Sequence, residues 1–537
     1  MARIALLAGK NNDFAEELLV ALRKSSHGHE YQLFDTGNSG ELANATDFGD
    51  CCVYSPSLVG SDGMVPDLVE AARLFLTRLK SKKFLLISSA LIYGTGCGRQ
   101  ALATENYSAP RNGSHAVCEQ WTSLETLVRQ SLDGDIQLTV LRPSTVLASH
   151  SFLSRLLQHR FIPTLPGHDP TLQLLSLSDL AEAVSCAAEH DISGTFNIAP
   201  DGVVPLRAAV RLVHGHRLPI PSILQRLRRP KETLEYLRYA WTISDSRIRK
   251  ELGFVPRKSS VTALLEQNGN KERHAQEEPP FDEFGMDRDY IHFYGKTLFK
   301  FLCDYYWRIE AKGLENVPRH GPGILVGTHR GFMPFDGVMI LHLLAQKTGR
   351  LPRFLTHPGL LKFPFLANFM TKLGGVVASQ ESATRVLQSG ELVGFFPEGI
   401  KGAFTYYRNA YTLQEFGRDA FVKLALRNRA PIVPFVVVGS AEIFPIFGKI
   451  NSRAWTRYTE WPCIPITPTF PILPLPLPSK WHIQFLAPMH VEEQYPPEAA
   501  SDRSVIKAIS RELRGRMQQA WNEMLSRRRH KFWGSVF

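Results

Sequence analysis

The sequence predicts an α/β protein built as two successive α/β units, the first a doubly wound parallel sheet. Three observations carry this. Short β-rich runs alternate with helical patterns over residues 1–265. A polar stretch, EQNGNKERHAQEEPPFD at 266–282, then interrupts the pattern almost without large apolar side chains. A second alternation follows over 283–537. The first stretch is therefore one domain, 266–282 a linker, and the remainder a second domain.

In the first domain, residues 4–8, 31–34, 83–88 and 137–141 read as strands and 14–22 as a helix. Strands spaced by helical patterns imply βαβ units with helices on both faces. In the second, 290–307 is aromatic, basic and helix-like, and 323–327, 376–378, 392–396 and 432–438 read as strands. Residues 462–478 are proline-rich and must run extended, since each proline fixes φ and removes a donor. At 503–537 nine Lys/Arg stand against two Glu, and Val505, Ile506, Ile509, Leu513, Met517, Ala520, Trp521 and Met524 recur at helical spacing. Two readings stay open for that helix: an anionic membrane surface on its basic, aromatic end, or packing on its own domain with a solvated basic face.

Hydrophobic residues make up 44% and charged residues 21%, which excludes wholesale disorder and collagen-like structure. The net charge of +11 favours an anionic contact. No nucleic-acid-binding module surrounds the basic residues, so anionic lipid or an acidic substrate is preferred to nucleic acid. The seven cysteines, at 51, 52, 97, 118, 186, 303 and 463, form no CxxC pair. They read as reduced, buried thiols of a cytosolic protein, with no metal site. The apolar start is too short for a signal peptide, and no run of 18 uncharged apolar residues occurs. The expectation is a cytoplasmic protein, peripheral on the cytoplasmic face of the membrane.

At Gly9 the chain leaves a strand for a helix, where a dinucleotide site needs glycines to let backbone amides reach a pyrophosphate. Here the run is Gly9-Lys10-Asn11-Asn12-Asp13-Phe14-Ala15, with only the first glycine kept and Asp13 set to repel phosphate. Asp35 stands at the right distance to hold a ribose hydroxyl. Further on come Ile87-Ser88-Ser89-Ala90-Leu91-Ile92-Tyr93-Gly94, Leu141-Arg142-Pro143-Ser144-Thr145-Val146, Leu177-Ser178-Asp179-Leu180-Ala181-Glu182-Ala183 and Gly194-Thr195-Phe196-Asn197-Ile198-Ala199. In this order they resemble the extended short-chain dehydrogenase/reductase family, of the sugar-nucleotide epimerase and dehydratase type. That implies a Rossmann-like sheet over residues 1–265 and an NAD(P) site at Gly9, Asp35 and Ser89. The family's catalytic Tyr-x-x-x-Lys is missing from 111–121, and Ser89, at the family's hydroxyl position, has no partner. The domain reads as a retained scaffold without hydride chemistry, with weak nucleotide binding left open.

The second domain carries the stronger signals. The strand 323–327 leads into His329, with Asp336 seven residues on, and a later strand ends in Phe396-Pro397-Glu398-Gly399. A neutral histidine at a strand end can take a proton from an alcohol while a carboxylate fixes its tautomer. No nucleophilic Ser or Cys is needed if the alcohol attacks a thioester directly. With the strand around Pro434, these blocks resemble the glycerolipid acyltransferases, the lysophospholipid and 1-acylglycerol-3-phosphate acyltransferase superfamily. The resemblance implies an α/β acyltransferase domain, His329 as general base and Asp336 as its orienting carboxylate. It also implies an acceptor site at Phe396, Pro397, Glu398 and Gly399. Two departures bear on the acceptor. The spacing is His-x6-Asp where phospholipid-type members have His-x4-Asp, so the chain must bulge at Pro334 for Asp336 to reach His329. Gln380 stands where many relatives have arginine, and Lys401, Arg408 or Arg418 could replace that charge.

The reaction implied moves a fatty acyl group from acyl-CoA or acyl carrier protein to a lysophospholipid or glycerolipid hydroxyl at a membrane, without metal or other cofactor. The alternative is an NAD(P)-dependent oxidoreductase or epimerase in the first domain, with the second as a lipid-binding anchor. A third reading is a membrane scaffold that turns over neither ligand. Oligomeric state is not legible.

Overall fold

A computed structural model describes residues 2–25, 28–56, 68–76, 81–96, 102–107, 116–132, 135–148, 151–220, 237–269, 281–417, 419–473 and 475–537. The chain divides into two compact units, Met1–Gly285 and Met286–Phe537. Most of the linker stretch, with Cys97 and Arg418, lies outside the described residues. At the edges of that stretch, the helix Ser260–Gln267 runs into it and Phe281 is buried in the first unit.

The first unit is built on six parallel strands: β1 (Arg3–Ala8), β2 (Glu30–Asp35), β3 (Cys51–Tyr54), β4 (Lys83–Ile87), β5 (Gln137–Pro143) and β6 (Gly194–Ile198). Their spatial order is β2-β1-β3-β4-β5-β6. The sheet is doubly wound because successive side chains point to opposite faces and both faces are apolar. Ile4, Leu6 and Ala8 pack with Phe14, Leu18, Leu180 and Val184 on one side. Ala5 and Leu7 pack with Leu42, Phe75, Trp121 and Leu124 on the other. The strand order reverses direction between β1 and β3, and the carboxyl ends of those strands frame the crevice where such sheets hold ligands.

The second unit has a seven-stranded sheet: β7 (Glu310–Lys312), β8 (Gly323–Gly327), β9 (Arg353–Thr356), β10 (Val376–Val377), β11 (Leu392–Phe395), β12 (Ile432–Val438) and β13 (His482–Phe485). The order is β7-β13-β12-β8-β11-β9-β10. The strands from β12 to β10 are mutually parallel, and β13 runs antiparallel to β12. β8 and β12 are buried along their whole length, which places β8 in the middle of the core.

The segment 290–307 is three short helical pieces, Arg288–Lys296, Leu298–Phe301 and a π-helical Leu302–Tyr306. It uses its aromatics both ways: Phe299 and Trp307 are buried, Phe293, Phe301 and Tyr305 exposed. The basic C-terminal segment forms the helix Arg503–Arg527, whose Ile506, Ile509, Leu513, Met517, Trp521 and Met524 are buried. Its apolar stripe packs on its own unit, and Phe532 and Trp533 beyond it are exposed. No helix among the described residues is long and apolar enough to cross a membrane.

Candidate active site

The site lies beyond the carboxyl ends of β8, β11 and β12. Central strands, two of them buried along their whole length, end there together, so the loops leaving them start from fixed points. Gly327 closes β8 because a side chain there would run into the Phe435 ring of β12. The Thr328 hydroxyl then accepts the Val437 amide at 3.0 Å and ties the two strand ends. His329 follows directly.

The chain next turns sharply through Gly331, whose φ of +77° favours glycine. It buries Phe332 and enters the helix Phe335–Lys347. That turn is the bulge the longer spacing demands. It brings the buried Asp336 carboxylate to His329, with Oδ2 2.8 Å from Nδ1. The same oxygen accepts the Arg330 amide at 3.0 Å. With Nδ1 donating to the carboxylate, Nε2 keeps the lone pair and points away from Asp336. Nε2 has no hydrogen-bond partner among the described residues. The imidazole lies beside Phe396, ring centroids 4.8 Å apart, and Phe396 stacks on Phe354 at 5.3 Å. Beyond the turn, Phe332 meets Phe444, Trp461 and Phe470 at 4.8–5.5 Å, giving the site apolar walls.

Glu398 corrects its expected part. Its carboxylate is buried and bidentate to Arg330, at 2.7 and 3.0 Å, and accepts the Gln414 amide at 2.7 Å. Both oxygens are committed inside the protein, so Glu398 holds structure and offers nothing to an acceptor. Pro397 is buried beside it, and Gly399 is exposed at the rim. Lys401 and Arg408 are exposed, and the Arg408 guanidinium lies over the Tyr406 ring, 5.2 Å from its centroid. Neither makes a side-chain hydrogen bond among the described residues.

Arg330 is the residue the sequence reading missed. Besides Glu398 it donates to the carbonyls of His329, Ala410 and Thr412. Its guanidinium lies over the Trp521 ring at 5.0 Å, and the Trp521 indole N–H donates to the Val437 carbonyl at 2.9 Å. The available signal was a strand-end glutamate in an apolar setting, which needs a buried cation.

In the first unit, Gly9, Asp35 and Ser89 do not assemble a dinucleotide site. Asn12 caps the helix Asp13–Arg23 at the turn after Gly9, where a pyrophosphate must approach bare backbone. Its side chain is buried, accepts the Ala15 amide at 3.2 Å and donates to the Ser55 carbonyl at 3.0 Å. The bond to Ser55 joins the loops after β1 and β3 across the crevice, and the bond from Ala15 occupies a helix N-terminal amide that a phosphate would use. Asp13 and Glu16 add negative charge to the same turn. The Asp35 carboxylate is turned onto the Gly37 amide at 2.9 Å, and Ser89 caps the turn Ala90–Tyr93. Nearby, Glu125 and Arg142 form a buried ion pair, with Arg142 donating to Tyr93 and Tyr93 to Asn197. Burial pushes the Tyr93 phenol up to about 12, against proton transfer at neutral pH. Among the described residues, Asn12, Asp35 and Ser89 are bonded within the protein and do not fit the nucleotide.

A histidine held by a buried carboxylate beyond the carboxyl ends of a largely parallel sheet is an arrangement able to take a proton from a bound hydroxyl. The Acyltransferase family model matches residues 308–438, which span β7 to β12 and include His329, Arg330, Asp336 and Glu398. An uncharacterized protein of Mycobacterium tuberculosis is 36% identical over 259 residues, 47% of this chain and 72% of that protein. One of Mycobacterium leprae is 35% identical over 47% and 70%. A bovine protein, named a DGAT1/2-independent enzyme synthesizing storage lipids, is 24% identical over 30% and 48%. Solved structures matching half of the chain include a short-chain dehydrogenase/reductase superfamily protein from Agrobacterium tumefaciens with bound NAD. Its identity is 17% and its TM-score 0.38, covering 50% of this chain and 97% of that one. A UDP-N-acetylglucosamine 4-epimerase from Bacillus cereus is 13% identical with a TM-score of 0.38, covering 51% and 100%. The chain belongs to one family with these mycobacterial proteins, and its second unit is an acyltransferase domain.

Proposed function

We propose that this protein transfers a fatty acyl group from an acyl thioester, on CoA or acyl carrier protein, to a hydroxyl of a lysophospholipid or glycerolipid at a membrane. The observation that carries the reading is the His329–Asp336 pair with Nε2 left free inside an acyltransferase domain. The acceptor hydroxyl gives its proton to His329 Nε2 as its oxygen attacks the thioester carbonyl. Asp336 holds the tautomer and stabilises the imidazolium that forms. The tetrahedral intermediate collapses and expels the thiolate, which takes the proton back from His329. Arg330 and Glu398 fix the loop that carries the base. The aromatic walls around Phe332 and Phe396 suit a hydrocarbon chain. Gly399, Lys401 and Arg408 are the rim groups for the acceptor's polar end. The name of the bovine relative supports a lipid acceptor.

Radiolabelled acyl-CoA offered with a panel of lysophosphatidic acid, other lysophospholipids, monoacylglycerol and diacylglycerol tests the reading. Label is expected in at least one glycerolipid product. If neither acyl-CoA nor acyl carrier protein delivers label to any acceptor, the proposal is wrong.

A further inference from the structure

The run Pro471-Ile472-Leu473-Pro474-Leu475-Pro476-Leu477-Pro478 takes no part in the chemistry above, yet it leaves the protein at the mouth of the site. Phe470 packs on Phe332, three residues after His329. Beyond it Ile472 is 95% exposed, and Leu473 and Leu475 are exposed beside it. The far end is anchored: the Leu477 amide donates to the Ile443 carbonyl at 2.9 Å, and Trp307 and Tyr306 donate to the carbonyls of Leu477 and Pro476. The same anchor joins the loop to the helical pieces that expose Phe301 and Tyr305. At its other end the hairpin Gly448–Ile450 with Ile464–Ile466 leaves Phe447, Ile450 and Ile466 exposed.

The backbone decides what kind of partner fits. Four of the eight residues are prolines and carry no N–H. The amides of Leu473, Leu475 and Leu477 donate to carbonyls of Thr469, Leu473 and Ile443. Such a segment offers a peptide strand almost no donors, and among its described residues only the Ile472 N–H would enter hydrocarbon without a partner. The charges agree. Between residues 447 and 478 stand Lys449, Arg453 and Arg457 with one acid, Glu460, which pairs with Lys362. Arg453 and Arg457 are exposed. An apolar tip flanked by cations matches an anionic bilayer surface.

We propose that Ile472, Leu473 and Leu475, with Phe301 and Tyr305, insert into an anionic lipid surface and seat the mouth of the acyl-transfer site on it. The proposal rests on the acyl-transfer reading for its purpose, but not for its test. The full chain is floated with vesicles of phosphatidylcholine and phosphatidylglycerol, as wild type, I472D/L475D and His329→Ala. Wild type and His329→Ala should bind alike, and the tip variant should bind at least about a hundredfold more weakly with its melting temperature unchanged. An Ile472→Trp probe gives a second readout, a blue-shifted emission with vesicles only. Undiminished binding by the tip variant, or no shift of the probe, overturns the proposal. So does failure of the wild type to bind vesicles, including the case where it instead self-associates through the tip in sedimentation. Binding lost in the tip variant while no variant transfers label would refute the reaction and leave the docking surface standing.

Discussion

Arg330 uses all five of its N–H donors on partners inside the protein, and two of them meet Glu398. Both side chains are nearly fully buried. Removing one partner leaves a buried charge without compensation, a loss of roughly 3–5 kcal/mol. Arg330→Met should therefore lower the melting temperature sharply, and Arg330→Met with Glu398→Leu should recover part of the loss. A single variant as stable as wild type in denaturant unfolding would deny the clamp its structural role. The sequence made His329 and Asp336 legible because seven residues of chain connect them. The Arg330–Glu398 pair is 68 residues apart, and only the adjacency of β8 and β11 brings it together. Glu398 was accordingly taken for a ligand group when it is a strut.

At the scale of elements, the C-terminal helix is part of the site's frame. Its Trp521 touches Arg330 on one side and the Val437 carbonyl at the end of β12 on the other. Trp521→Ala should cost about 3–5 kcal/mol in urea unfolding and also slow acyl transfer, whereas Trp521→Phe should cost less. A Trp521→Ala protein of wild-type stability would place the helix outside the frame. From sequence, the apolar periodicity of this helix was legible but its occupant was not, because a membrane and a sheet ask for the same stripe. Strands β1, β8 and β12 were legible because their apolar runs are bounded by turn signals. β3 is four residues without alternation, β13 alternates over only four, and β9 opens on the buried Arg353, so none gives a run long enough to mark a strand.

At the scale of the molecule, the two units divide the sequence's two signals, and only one is matched by assembled chemistry. The first unit keeps the parallel sheet and its switch-point crevice, but Asn12 bridges the crevice from within. Titration of the intact protein with NAD, NADH, NADP or NADPH is expected to give no heat and no shift in melting temperature. Saturable binding with a clear shift would mean that Asn12 yields to a pyrophosphate. The second unit is where transfer is expected. The most direct measurement is kcat/KM for acyl transfer by the intact chain, wild type beside His329→Ala, on the best acceptor. The account predicts a loss of about a thousandfold in a mutant that melts like wild type. A folded His329→Ala protein that still transfers at nearly the wild-type rate would contradict it.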